Sequence, residues 1–216
     1  MERKNVTSPL TKKIAALIAL ASGGALIAPA AKAVVILPGT SAAPIGNGVI
    51  AGTQLLNVTT PFVAKDILNN VVFSGSLQSI VLQQSGGNLE FVYQFSNDNN
   101  PNNDSIERFS VDDFTGFSTD VDYIPSTGAS APTLVSRQPA VTGDVVGYTF
   151  SGVSPGTSTD ILTVETNATA FQIGSAALQD GGNVSIPAPV PAVPEPATIG
   201  LLVLSVSGLT LRRRRA

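Results

Sequence analysis

The side chains available for chemistry in this chain are carboxylates, amides and hydroxyls, because its 216 residues include no His and no Cys. The chain therefore has no imidazole base, no thiol nucleophile, no disulfide and no thiolate metal site. Triads of the Ser-His-Asp or Cys-His type are excluded for the same reason. The remaining candidates are two clusters of acidic and amide residues and two isolated arginines.

The most polar stretch is SNDNNPNNDS, residues 96–105, in which oxygen-bearing side chains alternate as ligands do in a calcium loop. The side chains concerned are Asp98, Asn100, Asn102 and Asp104. The EF-hand pattern is not met, because Asn103 replaces its Gly and Phe109 replaces its final Glu. Asn, Asp and Pro are also typical of an ordinary hairpin loop. The stretch therefore predicts either a Ca²⁺ site or a plain polar loop, and no other cofactor is expected.

A second acidic cluster lies between residues 112 and 122. Its members are Asp112, Asp113, Asp120 and Asp122. Paired carboxylates can hydrolyse glycosidic bonds, one as acid and the other as base or nucleophile. Sugar sites usually add aromatic platforms, yet the chain has no Trp and only three Tyr. We expect a solvated strand face and no enzyme activity, with a glycan-acting hydrolase as the alternative.

Arg108 and Arg137 are two of only three cations between Val34 and Pro196, a span with 14 acidic residues and a net charge of −11. Each arginine is expected to form a structural ion pair with Glu107, Asp112 or another carboxylate. The alternative is recognition of an acidic sugar. An acidic domain repels phosphate backbones, so nucleic acid is not an expected partner.

The N-terminal segment, residues 1–33, has the three parts of a secretory signal peptide. The charged part ends at Lys13, and a small apolar run follows as far as Ala28. The A-x-A step formed by Ala31 and Ala33 predicts cleavage after Ala33, and a competing step lies three residues earlier. We therefore expect export through the secretion machinery.

The C-terminal residues 193–216 read VPEPATIGLLVLSVSGLTLRRRRA. An uncharged run of 15 residues, 197–211, separates a Pro-Glu-Pro motif from a basic end. At 1.5 Å per residue it makes a helix of about 22 Å, whereas a hydrocarbon core is about 30 Å thick. The sequence predicts a short transmembrane helix with transient membrane insertion, and arginines that remain in the cytoplasm. The motif and the basic end comprise Pro194, Glu195, Pro196, Arg212, Arg213, Arg214 and Arg215.

This order of motif, apolar helix and arginine cluster over residues 194–216 resembles the PEP-CTERM sorting signal of bacterial proteins. The resemblance implies processing near Pro194-Glu195-Pro196 by exosortase, a membrane-embedded protease. Together with the N-terminal signal, it implies a protein that is held in the membrane before processing and then reaches the cell surface or the extracellular space. A plain tail anchor is the alternative.

Period-two patterns fill the chain between these ends. In LEFVYQF, residues 89–95, four apolar side chains share one face while Glu90 and Gln94 lie on the other. ERFSV, VVGYTF and DILTVET repeat the pattern, and clusters of Gly, Pro, Asn and Asp separate them. This arrangement predicts an all-β, antiparallel β-sandwich, Ig-like or jelly-roll-like, over residues 49–186. It would lie between the signal helix and the transmembrane helix.

Composition predicts a flexible entry segment at residues 34–48 and a Pro-rich linker at 187–193, the latter an extended, polyproline-like stalk. Three further stretches, DDFTGFSTDVDY, GDVVGYTF and PGTSTDILTVETNATAFQIG, resemble an ectodomain that recurs in secreted PEP-CTERM proteins, which implies a β-sandwich. The expected role is structural, in the cell surface, extracellular matrix or biofilm. The alternative is an extracellular carbohydrate- or calcium-binding module with exopolysaccharide as its partner.

Overall fold

The computed structural model describes residues 33–192, which form strands and the turns between them. Buried and exposed residues alternate along many of these strands. Within that range no helix is long and apolar enough to cross a membrane. The predicted signal helix and transmembrane helix lie outside the described residues. The strands are β1 (Val34–Val35), β2 (Ser41–Ala42), β3 (Thr53–Lys65), β4 (Val71–Gln83), β5 (Leu89–Asn97), β6 (Ile106–Val111), β7 (Thr119–Ile124), β8 (Leu134–Gln138), β9 (Val145–Val153), β10 (Ile161–Thr166), β11 (Phe171–Asp180) and β12 (Gly182–Pro191).

The strands form two six-stranded sheets. Sheet A has the order β1-β7-β10-β5-β4-β3, and sheet B has the order β12-β11-β6-β9-β8-β2. Every strand pair in both sheets is antiparallel. The predicted all-β, antiparallel fold is therefore confirmed for this part of the chain.

Aromatic side chains from both sheets meet between them and form the core. The ring centroids of Tyr93 on β5 and Phe109 on β6 are 5.4 Å apart, and those of Phe95 and Phe150 are 5.5 Å apart. The face predicted for residues 89–95 is confirmed, because all four of its apolar side chains are buried in this core. Burying a side chain of this size contributes about 1.5–3 kcal/mol to stability.

Part of the outer face of sheet A is also covered, by residues 43–52, which we call the strap. Ile50 of the strap packs on a second apolar cluster on that face. The Gly48 N–H donates to the Tyr123 carbonyl at 3.0 Å, and this approach is so close that a Cβ at Gly48 would lie 3.1 Å from the same oxygen. The second cluster contains Ile80, Leu82, Val92 and Ile161.

Residues 34–48, expected to be a flexible entry, instead form β1, β2 and the first part of the strap. Ile36 is 1% exposed and belongs to the main core, and its N–H donates to the Thr119 carbonyl at 3.0 Å. Apolar burial and satisfied backbone groups outweigh the local preference of a Gly- and Pro-rich segment for disorder.

The Pro-rich stretch at 187–193 does not form a stalk, because its first five residues complete β12. Pro187, Pro189 and Pro191 occur at every second position, so their missing N–H groups all lie on one side of the strand. The side that pairs with β11 keeps its donors, which is how an edge strand tolerates proline. The residues between them, Ala188 and Val190, are buried in the core. The sandwich therefore extends to Pro191 rather than ending at residue 186.

Candidate functional site

Three carboxylates lie side by side across the outer face of sheet A, and we call them the acidic row. Glu165 on β10 is the cross-strand partner of Glu90 on β5 and also of Asp120 on β7. Residues directly opposite each other in an antiparallel pair share a face and have Cβ atoms about 5 Å apart. Like charges in such positions repel each other, so the row is costly when it is fully ionised.

Glu90 lies at the buried end of the acidic row. It is 0% exposed, and the Gln84 side-chain amide donates to its Oε2. Its Oε1 has no hydrogen-bond partner. Burial, and then the charge of Glu165, raise the pKa of Glu90 to about 8, although the Ala51 backbone and the Gln84 amide offset part of the rise. A buried carboxylate with one unsatisfied oxygen requires either a proton or another cation.

Glu165 and Asp120 continue the row to the surface. Burial raises the pKa of Asp120, and partial burial followed by the charges of Asp120 and Asp122 raises the pKa of Glu165. Three neighbouring carboxyl groups therefore all favour the protonated form more than free carboxyl groups do. The row is therefore an acidic site in which Glu90 is buried and Glu165 is exposed to solvent.

Asp122 is also buried, but its carboxylate is fully occupied by the protein's own backbone. The N–H groups of Ile45 and Gly46 donate to Oδ1 at 3.2 and 2.7 Å, and the Asn47 N–H donates to Oδ2 at 3.4 Å. The Tyr123 N–H donates to Oδ1 at 2.9 Å. Asp122 therefore fixes the strap to β7, and it is bound as a structural anion rather than exposed as a catalytic one.

The predicted calcium residues lie together in the loop between β5 and β6. Asp98 accepts a hydrogen bond from the Ser74 hydroxyl at 2.9 Å, and the Asn100 side chain accepts one from the Asn102 N–H at 3.1 Å. The Asp104 N–H donates to the Val72 carbonyl at 2.8 Å, which holds the loop against β4. These bonds are those of an ordered loop that crosses from sheet A to sheet B, so the expected hairpin is not formed, and the Ca²⁺ site there stays a prediction.

Asn103, in the same loop, is a residue that the sequence analysis did not identify as structural. It is 6% exposed, and its Nδ2 donates to the Asn97 Oδ1 at 2.9 Å. Its own Oδ1 has no hydrogen-bond partner. Within residues 33–192 no group of three or more acidic side chains is placed to hold a metal ion.

The second predicted acidic cluster is divided between the sheets. Asp120 and Asp122 lie on β7 of sheet A, whereas Asp112 and Asp113 follow β6 of sheet B. Partial burial, then the charges of Asp144 and Asp113, raise the pKa of Asp112. The four residues therefore form two separate acidic surfaces rather than one paired-carboxylate site.

Arg137 is 3% exposed, and the ion pair expected for it is replaced by hydrogen bonds to oxygen atoms that carry no formal charge. Its guanidinium donates to the carbonyls of Gly143, Phe114 and Phe117, each at 2.7 Å. Longer bonds run to the Ile36 carbonyl at 3.4 Å and the Thr119 hydroxyl at 3.2 Å. The predicted ion pair was wrong because loop carbonyls converge on this position. The guanidinium has five N–H donors in a fixed planar arrangement and can bond to several of these carbonyls together.

Arg108 lies on the outer face of sheet B and lines two shallow depressions of about 600 and 660 Å³. A Cβ at Gly147 would lie 2.8 Å from the Arg108 Nη2, so the glycine leaves room for the guanidinium. Gln179 lines both depressions, and Asp112 and Asp180 each line one of them. This face combines one cation with amides and carboxylates, which is a surface suited to polar ligands.

The remaining functional residues follow the last strand immediately. β12 ends at Pro191, and the Ala192 N–H still donates to the Ala170 carbonyl at 2.9 Å. Residues 192–215 match the family model of the PEP-CTERM protein-sorting motif. Pro194, Glu195, Pro196 and Arg212 to Arg215 lie in this motif and outside the described residues. Comparison with curated proteins and with solved structures gave no match.

The all-β fold and the C-terminal motif together define an exported protein with a folded domain joined to a sorting signal. The chain carries the PEP-CTERM motif, so the resemblance stated above is confirmed. The motif implies export, sorting to the cell surface and processing by exosortase. The match begins at residue 192, directly after the last residue of β12.

Proposed function

We propose that the protein is a structural component of the bacterial surface or extracellular matrix, delivered there by exosortase processing. Its β-sandwich serves as a building unit rather than as a catalyst. The observation that carries the proposal is that its buried polar side chains hold parts of the fold together. Asp122 holds the strap, Arg137 holds the loop carbonyls, and the Tyr93 hydroxyl holds β12.

The charge of the domain supports the same role. A net charge of −11 between Val34 and Pro196 keeps copies soluble during export and favours association with cations in the matrix. Because the motif follows β12 directly in the sequence, we expect the folded domain to stay close to the membrane until cleavage. Cleavage then releases a unit without a long tail.

The test compares the wild-type bacterium with a strain that lacks the protein and with one in which Pro194, Glu195 and Pro196 are replaced by Ala. We expect the wild-type protein in the surface and matrix fractions, and the Ala variant in the membrane fraction. We also expect the strain without the protein to form a less cohesive matrix. Unchanged cohesion in that strain would contradict the structural role, even if sorting proceeds as expected.

A second candidate function is binding of an acidic polysaccharide, and the depressions around Arg108 favour it. Binding of matrix polysaccharide by the wild-type protein, lost in Arg108→Gln and retained in Lys65→Gln, would support it. Lys65 is a matched control because it lies on sheet A, where its Nζ donates to the Asn69 side chain at 3.0 Å. Equal binding by both variants would exclude a role for Arg108.

A further inference from the structure

The acidic row on the outer face of sheet A contains three carboxylates and no basic side chain of the described residues. Lys65 is bonded to Asn69, and Arg137 is enclosed by loop carbonyls. Arg108 lies on sheet B. The strap that crosses this face also contributes no charge, because residues 43–52 include no ionisable side chain. Within residues 33–192, therefore, no basic side chain balances the charge of the row.

The second observation is the unpaired Oε1 of Glu90. The residue is completely buried, and Gln84 holds only the other carboxylate oxygen. Glu165 lies directly opposite on the neighbouring strand, on the same face of the sheet. The backbone of Ala51, in the strap, lies near this carboxylate and lowers the pKa of Glu90, but Oε1 has no hydrogen-bond partner. A desolvated oxygen of this kind, beside a second carboxylate that is exposed, is an arrangement that a bound cation satisfies.

We propose that Glu90 and Glu165 form the protein part of a binding site for a hard divalent cation, Ca²⁺ above all. The ion bridges Oε1 of Glu90 and the carboxylate of Glu165, and water completes its coordination. Asp120 lies one strand further from Glu90, about 10 Å away by strand spacing, so it adds negative potential rather than a third ligand. This agrees with the finding that no three acidic groups of residues 33–192 converge on one point.

The site goes beyond the proposed matrix role and does not depend on it. Ca²⁺ takes six to eight oxygen ligands, and sites in extracellular modules bind it with dissociation constants of about 10⁻⁴–10⁻³ M. We expect the dissociation constant of a site with two carboxylates and water ligands to lie in that range. Because the ligands must be ionised, binding releases protons and becomes tighter as the pH rises. The cation thereby takes the place of the proton on Glu90.

The test is a calorimetric titration of the processed protein, purified from the producing bacterium, with CaCl₂ at pH 6.5 and 8.5. We expect saturable binding that is tighter at pH 8.5, and a rise in melting temperature with CaCl₂. Glu165→Gln removes a ligand at an exposed position and should weaken binding at least tenfold. Glu90→Gln should do the same, and Glu107→Gln on sheet B is the matched control that should bind as the wild type does.

A double variant, Asp98→Asn with Asp104→Asn, separates this site from the predicted calcium loop. Under the proposal it retains wild-type affinity. Loss of binding in this variant, with retention in Glu165→Gln, would assign the ion to the loop and overturn the proposal. Absence of saturable binding by the wild-type protein up to about 10 mM CaCl₂, ten times the weakest expected constant, would overturn it as well.

Discussion

The hydroxyl of Tyr93 donates a hydrogen bond of 2.6 Å to the carbonyl of Pro189, and it thereby joins the two sheets. Tyr93 lies on β5 of sheet A, and Pro189 lies on β12, the edge strand of sheet B that leads into the sorting motif. Both residues are buried. The bond satisfies a carbonyl that β12 directs away from β11, so the edge strand is attached to the opposite sheet.

Tyr93→Phe tests the contribution of this bond to stability. The substitution leaves the Pro189 carbonyl buried without a donor, and we expect it to lower the free energy of unfolding by about 1–3 kcal/mol. Urea denaturation of the processed protein measures the change. Tyr123→Phe, at a half-buried tyrosine, is the control and should change stability by less than about 0.5 kcal/mol. Equal effects of the two substitutions would contradict a special role for the bond.

Arg137→Lys tests the cluster of carbonyls around the buried guanidinium. Lysine keeps the charge but has a single nitrogen, so it cannot replace a planar fork that bonds in several directions. We expect a loss of at least about 2 kcal/mol, because several charge-assisted hydrogen bonds disappear. Arg108→Lys, on the open face of sheet B, should be nearly neutral. A nearly neutral Arg137→Lys would show that the carbonyls are satisfied in another way.

Glu90 makes stability depend on pH. Because its pKa is raised to about 8 in the folded state, the folded protein binds more protons than the unfolded one. The stabilisation is fully present below the unfolded pKa of about 4.5 and is lost as the pH rises towards 8. In that window the free energy of unfolding should fall by up to about 1.4 kcal/mol per pH unit.

The other ionisable groups that face Glu90 across sheet A are Glu165, Asp120 and Asp122, and the pKa values of the first two are also raised. Titration of Glu165 and Asp120 steepens the acidic end of the same window. Glu90→Gln should flatten the upper end, between about pH 6 and 8. Urea denaturation over this pH range in the absence of divalent cations measures both slopes. A wild-type stability that increases from pH 6 to 8 would contradict the assignment.

Gly75→Ala tests the close contact between β4 and β5. A Cβ at Gly75 would clash with the carbonyl oxygen of Ser96, a backbone atom that cannot move without separating the strands. We expect a loss of more than about 3 kcal/mol or failure to fold, as for severe overpacking. Gly86→Ala is the matched control, since it has no neighbour within 4 Å of its Cβ. Soluble yield and urea denaturation distinguish the two variants.

The sequence predicted the β-sandwich well where one side of a strand is apolar. Phe91 and Tyr93 alternate with Glu90 and Val92, so the period of two identified both the strand and its inner face. It did not indicate that the outer face of sheet A is also covered. Part of that face, including Val92 of β5, is buried beneath the strap, which is distant from β5 in sequence.

The residues that hold the structure together were harder to predict, because their partners are distant in the chain. Asp122 binds backbone groups more than 70 residues away, and Arg137 binds Ile36 across a separation of 101 residues. The proline content of residues 187–191 predicted a stalk, but proline at every second position is compatible with an edge strand. The sorting motif could be predicted without tertiary information, because it is defined by the order of residues in the sequence.

The most direct test of the account is the intact mass of the mature protein, recovered from the membrane, the cell surface and the medium. We expect the membrane fraction to include a precursor that still carries Arg212 to Arg215. The surface and secreted forms should begin at Val34 and end near Pro194-Glu195-Pro196, after exosortase cleavage. A secreted or surface form that retains the four arginines would contradict processing at the motif.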